Sequence, residues 1–207
     1  MTFLDVVISA ATGVLTSYTV WWITFKYLTP KIKFSDAISC LESKENASGF
    51  RYRFKFENEG RRNIIDAEVI VRVRIRGLRK DMRKNWEVIY LPISSMHYQK
   101  LAIVRPVSKP LKGHKPLRPV FEIKGYACEY FEHAIFPPAV QEKARQRSLT
   151  LEEILSIGDE ANLQVLILAF DEFSGARKFF ESPLLTLKDI QHGYYDKHSV
   201  YMHRRKT

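Results

Sequence analysis

The sequence predicts a mainly β protein: an N-terminal transmembrane helix followed by an antiparallel β-sandwich that carries one short helix. Three observations lead there. An uncharged run of 20 residues stands near the N-terminus, period-two alternation dominates after Pro30, and one later stretch opens with a helix-capping signature. The boundaries follow as residues 1–28 for the membrane helix, 29–49 for a juxtamembrane linker and first strand, 50–196 for the sandwich, and 197–207 for a basic tail. A chain of 207 residues accommodates one domain of about 150 residues plus such an appendage.

The run "VVISAATGVLTSYTVWWITF", Val6 to Phe25, is long enough to cross a hydrocarbon core as a helix. Asp5 precedes it and Lys26, Lys31 and Lys33 follow, the reverse of a secretory signal peptide. The positive-inside rule then places a short N-terminus outside and the rest of the chain in the cytosol, beneath an inner or plasma membrane. Trp21, Trp22 and Tyr27 form the cytosolic aromatic belt. On this topology Asn46-Ala47-Ser48 matches a glycosylation acceptor only by chance. The two cysteines, Cys40 and Cys128, have no ligand spacing and fit a reducing compartment.

Within the membrane helix, Ser9, Gly13 and Ser17 recur every four positions, flanked by Thr12, Thr16 and Thr19. This small-residue pattern lets helices approach closely and points to a homo-oligomer; a threonine-lined pore is its sharper form. The alternative is that the hydroxyls bond carbonyls of their own helix.

After Pro30 the strands follow in order. "FRYRFKFE" (Phe50 to Glu57) puts Phe50, Tyr52, Phe54 and Phe56 on one face. Next, Ile65, Ala67, Val69, Val71, Val73 and Ile75 oppose Asp66, Glu68, Arg72, Arg74 and Arg76. Further strands are read at Trp86 to Ile93, Arg118 to Gly125, Asn162 to Phe170 and Ala176 to Ser182, the last two joined by a hairpin over Asp171 to Gly175. Asn162 to Phe170 is apolar on both sides, hence central. Thr150 and Glu153 form a capping box for a helix that stops at Gly158; Val140 to Ser148 is charged and either helical or mobile. The Pro- and Lys-rich stretch Ile103 to Pro119 reads as an exposed loop.

Thirty-three Lys and Arg against 23 Asp and Glu give a net charge of +10, so a partner drawn in by long-range attraction is anionic: nucleic acid, nucleotide or acidic lipid. Nucleic acid is disfavoured, because the aromatics of "FRYRFKF" share a strand face and suit a core better than a stacking platform. The six histidines show no metal-ligand spacing, and no nucleophile elbow, phosphate loop or dinucleotide motif occurs. Asp171 and Glu172 sit in a turn, which ordinarily exposes such residues for solubility. Neither an enzyme nor a cofactor is expected.

The order of these pieces resembles the cytosolic domain of inward-rectifier potassium channels. Four collinear segments carry the likeness: "TPKIKFSDAI" (Thr29 to Ile38), Phe50 to Val73 with its Asn-x-x-Arg turn, Leu151 to Phe180, and "SPLLTLKDIQHGYYD" (Ser182 to Asp196). Together they cover about half of the soluble part. The resemblance implies an immunoglobulin-like sandwich assembled as a tetrameric ring under the membrane, with basic residues at the junction binding anionic headgroups. Lys31 and Lys33 match the junction, and Arg61 and Arg62 fall in the turn after Asn58. The chain lacks the family's second membrane helix, pore helix and selectivity filter, so it is not by itself a potassium-selective channel. His133 to Phe136 is at most a remnant of the family's His-x-Ile-Asp segment.

The arginine face of Arg72, Arg74 and Arg76 has two readings: a surface for anionic lipid, nucleotide or a neighbour's carboxylates, or a solvated face with cross-strand partners. The expected function is a single-pass, oligomeric sensor or gating domain that answers an anionic ligand by altering membrane permeability. By analogy this suits a signalling or defence effector. The alternative is a membrane-tethered protein-interaction module with no pore.

Overall fold

In the computed structural model, residues 2–27, 29–78, 84–101, 119–196 and 200–204 are described. Phe3–Tyr27 form one helix, α1. Its segment Phe3–Thr24 is long and apolar enough to cross a membrane, and none of its most apolar stretch is buried inside the protein. Twenty-two residues rise roughly 33 Å, the thickness of a bilayer's hydrocarbon core.

Eleven strands follow among the described residues, in two sheets that share one core. The first sheet contains β1 (Ile32–Phe34), β2 (Ile38–Glu42), β3 (Phe50–Asn58), β7 (Val120–Ile123), β10 (Ile190–Tyr195) and β11 (Met202–Arg204). The second holds β4 (Ile64–Arg76), β5 (Trp86–Leu91), β6 (His97–Leu101), β8 (Glu160–Asp171) and β9 (Arg177–Glu181). Phe54, Phe56 and Phe121 are fully buried, each worth about 2–3 kcal/mol of apolar transfer. An edge-on contact between Phe56 and Tyr98, ring centres 5.8 Å apart, joins the sheets. The aromatics of β3 are thus core, as their spacing requires, with Phe50 half-buried at the rim.

Several expectations are corrected. The first sheet is mixed, because β10 pairs with β2 in parallel at Ile38, Ser39 and Cys40. Alternation reports which face a residue occupies and not strand direction, so the sequence pattern could not show this. The core face of β4 does not run unbroken from Ile65. Asp66 adopts a left-handed conformation (φ 53°) at a bulge, so Ile64 and Ala67 point inward and Ile65 is only half-buried. Strand β5 stops at Leu91, since Pro92 has no N–H to give the ladder. Among the described residues two short α-helices follow α1, not one: α2 (Pro138–Arg145) and α3 (Leu151–Leu155).

The Thr150–Glu153 capping box is present in α3, which buries Leu151, Ile154 and Leu155. Upstream, 3-10 turns and α2 bury Phe131 and Phe136, whose ring centres lie 5.1 Å apart. Within the stretch read as a basic tail, Met202–Arg204 add a strand to β10 and Val200 is buried. Of the Pro-rich loop, residues 103–118 lie outside the described residues, as does the end of the tail from residue 205.

Candidate functional site

The register of the strands brings three connections to the end of the domain where α1 exits. Ile32 pairs with Asn58, while Ile64 pairs with both Asp171 and Leu101. The linker at Lys31, the β3–β4 turn and the β8–β9 hairpin therefore meet. The Lys31 carbonyl accepts the N–H groups of Glu59 (2.9 Å) and Gly60 (3.2 Å). A Cβ on Gly60 would lie 2.4 Å from the Lys31 nitrogen and 2.7 Å from Pro30 Cα, so only glycine permits this approach. Asn58, buried, builds the turn from inside. Its Oδ1 accepts the Gly60 N–H (3.0 Å), and its Nδ2 donates to the carbonyls of Arg62 (2.8 Å) and Leu101 (3.2 Å).

Four of the basic residues picked out in the sequence, Lys31, Lys33, Arg61 and Arg62, belong to this end. Lys31 and Arg61 are exposed. Lys33 donates to Glu59 at 2.8 Å, which holds its ammonium above the usual lysine range, and lies 4.9 Å from the Tyr201 ring centre. Arg62 is mostly buried, 3.1 Å from Asp171 Oδ2 and 4.3 Å from the ring centre of Phe173.

Asp171 is not the solvated turn carboxylate that its position suggests: it is 2% exposed. Burial alone would raise its pKa, but the Ser174 hydroxyl (2.8 Å), the Phe173 N–H (3.1 Å) and Arg62 outweigh burial and hold it below the usual aspartate value. Next to it, Glu172 accepts from Lys100 and Asn63.

Arg72, Arg74 and Arg76 form a separate row. With 13 residues in β4, Arg62 and Arg76 stand roughly 40 Å apart. Each arginine of the row has a partner within the sheet. Arg72 donates twice to Gln164 Oε1 (3.2 and 2.7 Å) and is 3.8 Å from Glu181. Arg74 lies 4.7 Å and Arg76 5.4 Å from the Trp86 ring centre, and Arg76 also pairs with Glu160 at 2.9 Å.

On α1, Ser9, Thr12, Gly13, Thr16 and Ser17 are all exposed. Thr12, Thr16 and Thr19 donate to the carbonyls of Ile8, Thr12 and Leu15, each at 2.8 Å, so these hydroxyls are satisfied within their own helix. Gly13 leaves a notch: a Cβ there would meet nothing within 4 Å, and an open groove runs past Ala10, Gly13, Val14, Ser17, Tyr18 and Trp21.

One polar cluster escaped the sequence, because its members are far apart in the chain. Tyr52 donates to Glu152 beside Cys40, inside the core. Burial first, then the Glu152 charge, pushes the Cys40 thiol up to about 12 and raises the Tyr52 phenol as well. Both stay protonated and unreactive at neutral pH. Among the described residues no group of three or more His, Cys, Asp or Glu is placed to hold a metal. No protein-family model and no curated protein matches the chain.

Proposed function

We propose that the chain is a single-pass membrane protein, with its N-terminus outside, whose helices self-associate and whose cytosolic immunoglobulin-like sandwich responds to an anionic ligand at the membrane-facing end. The response changes how the helices pack and hence membrane permeability. One observation carries this reading. The linker from α1 is not a free tether but is pinned through Lys31 to the turn bearing Arg61 and Arg62, so charge neutralisation at that turn acts on the helix exit. The arginine row, with partners inside its own sheet, contributes less to ligand binding than the junction.

The test uses the full chain reconstituted in liposomes, with mass measured in mild detergent and ion flux followed with and without phosphatidylglycerol or cyclic nucleotides. A closed oligomer with ligand-dependent flux supports the proposal. A monomer, or an oligomer that never leaks under any ligand, overturns it.

A second reading, a tethered interaction module without a pore, is favoured by the outer face of the second sheet. There Val88 and Tyr90 are exposed beside the arginine row and Trp86, and Phe170 and Phe179 are exposed further along the same face, a composition typical of protein interfaces.

A further inference from the structure

The geometry points to the β8–β9 hairpin as a second membrane contact, in which Phe173 seats in the headgroup region of the leaflet that α1 crosses. This rests on the reading of α1 as a span. Outside α1, Phe173 is the most exposed large apolar side chain among the described residues, at 76%. Such a ring on a soluble surface costs hydration free energy, and a loose tip would fold it away.

This tip is not loose. The Gly175 N–H donates to the Asp171 carbonyl (2.8 Å) and the Asp171 N–H to the Ala176 carbonyl (3.0 Å), while Gly175 supplies the left-handed residue (φ 65°). The Asp171 side chain holds Phe173 and Ser174 from within, and Arg62 lies against the ring. The phenyl group is thus braced outward rather than merely unpacked.

Its position fixes the occupant. The hairpin lies at the helix-exit end, beside the linker that leads into α1, so it faces whatever surface α1 enters. Its flanks carry Lys31, Lys33, Arg61, Arg62 and Lys100 against Glu59, Asp171 and Glu172, five cations to three carboxylates. Each of those carboxylates already bonds a cation of the group. An apolar ring set among net positive charge matches the acyl–headgroup boundary of an anionic leaflet better than it matches water or an apolar protein groove. With α1 and Phe173 both engaged, the domain has two attachments and a fixed tilt. Leaflet charge then sets domain orientation through the exposed Lys31 and Arg61, on the linker and the turn that Arg62 ties to the hairpin.

The experiment labels Phe173→Cys in the full chain with an environment-sensitive nitrobenzoxadiazole, in vesicles of phosphatidylcholine and phosphatidylglycerol containing headgroup-region nitroxide lipid. Cys40 and Cys128 are buried and protected from the reagent. Ser156→Cys, exposed after α3 at the far end, is the control, and tryptophan quenching in a Trp86→Phe background reports on Trp21 and Trp22. The expected result is quenching by the nitroxide about twofold stronger at position 173 than at 156, with weaker quenching by aqueous iodide. If position 173 is as open to iodide as 156 while the tryptophans are quenched by lipid, the hairpin contact is overturned and the span stands. If 173 is shielded from iodide yet untouched by the nitroxide, a second copy or another protein covers it instead. Tryptophans that the lipid does not quench overturn both readings.

Discussion

At the scale of single residues, the junction depends on side chains that do little elsewhere. Gly60→Ala places a methyl group against the Pro30–Lys31 backbone, where nothing flexible can yield. The expected cost is about 1–3 kcal/mol, read as a lowered unfolding midpoint of the full chain in detergent. Arg62→Ala leaves the Asp171 carboxylate buried without its cation and lowers stability by about 3 kcal/mol in the same measurement. The Asp171 carboxyl is held low in the folded chain despite the opposing effect of burial. Its stabilising contribution is therefore complete above the free aspartate value, about pH 4, and is lost as pH falls through the lower folded value. A pH titration of unfolding should show an acid-side loss that Asp171→Asn flattens. Sequence spacing shows Asn58 and Asp171 as turn residues, but not that Gly60 packs on Lys31 or that Arg62 holds Asp171.

At the scale of elements, α3 and α1 invite opposite tests. The five residues of α3 are too few to persist alone, so its capping box and its three buried apolar residues hold it. Thr150→Ala should cost about 1 kcal/mol, measured as a shift in the urea midpoint. In α1 the threonine hydroxyls bond their own helix, so Thr12→Val with Thr16→Val should leave self-association intact. Gly13→Leu fills the notch and should weaken association by about tenfold in a membrane energy-transfer assay, the loss of roughly 1.4 kcal/mol of close packing. If the valine pair instead abolishes association, interhelical hydroxyl bonds are the glue. The β4 bulge at Asp66 shows the limit of pattern reading: a single inserted residue moves the inward position from Ile65 to Ile64 without altering composition.

At the scale of the whole molecule, none of the described side chains of α1 belongs to the core shared by the two sheets. A fragment of residues 29–204 should therefore fold cooperatively in water, checked by thermal denaturation followed by circular dichroism. On phosphatidylglycerol vesicles it should bind in a salt-dependent manner, and Lys31→Gln with Arg61→Gln should weaken binding by about twentyfold to thirtyfold, near 1 kcal/mol for each charge. Neutralising Arg72 and Arg76 should change vesicle binding far less, since both are engaged within their own sheet and lie along β4, away from the junction.

The sequence by itself determined the apolar helix, the strands built on β3, β4 and β8, the capping box and the excess of positive charge, because each is written in neighbouring residues through periodicity or a local hydrogen bond. Only the tertiary structure decided that β10 runs parallel to β2, and that seven basic residues divide into a group at the junction and a row along β4. It alone shows an aspartate from a hairpin held beneath the arginine of a turn more than a hundred residues earlier. Those facts depend on register and close approach between distant segments, which no local pattern of residues encodes.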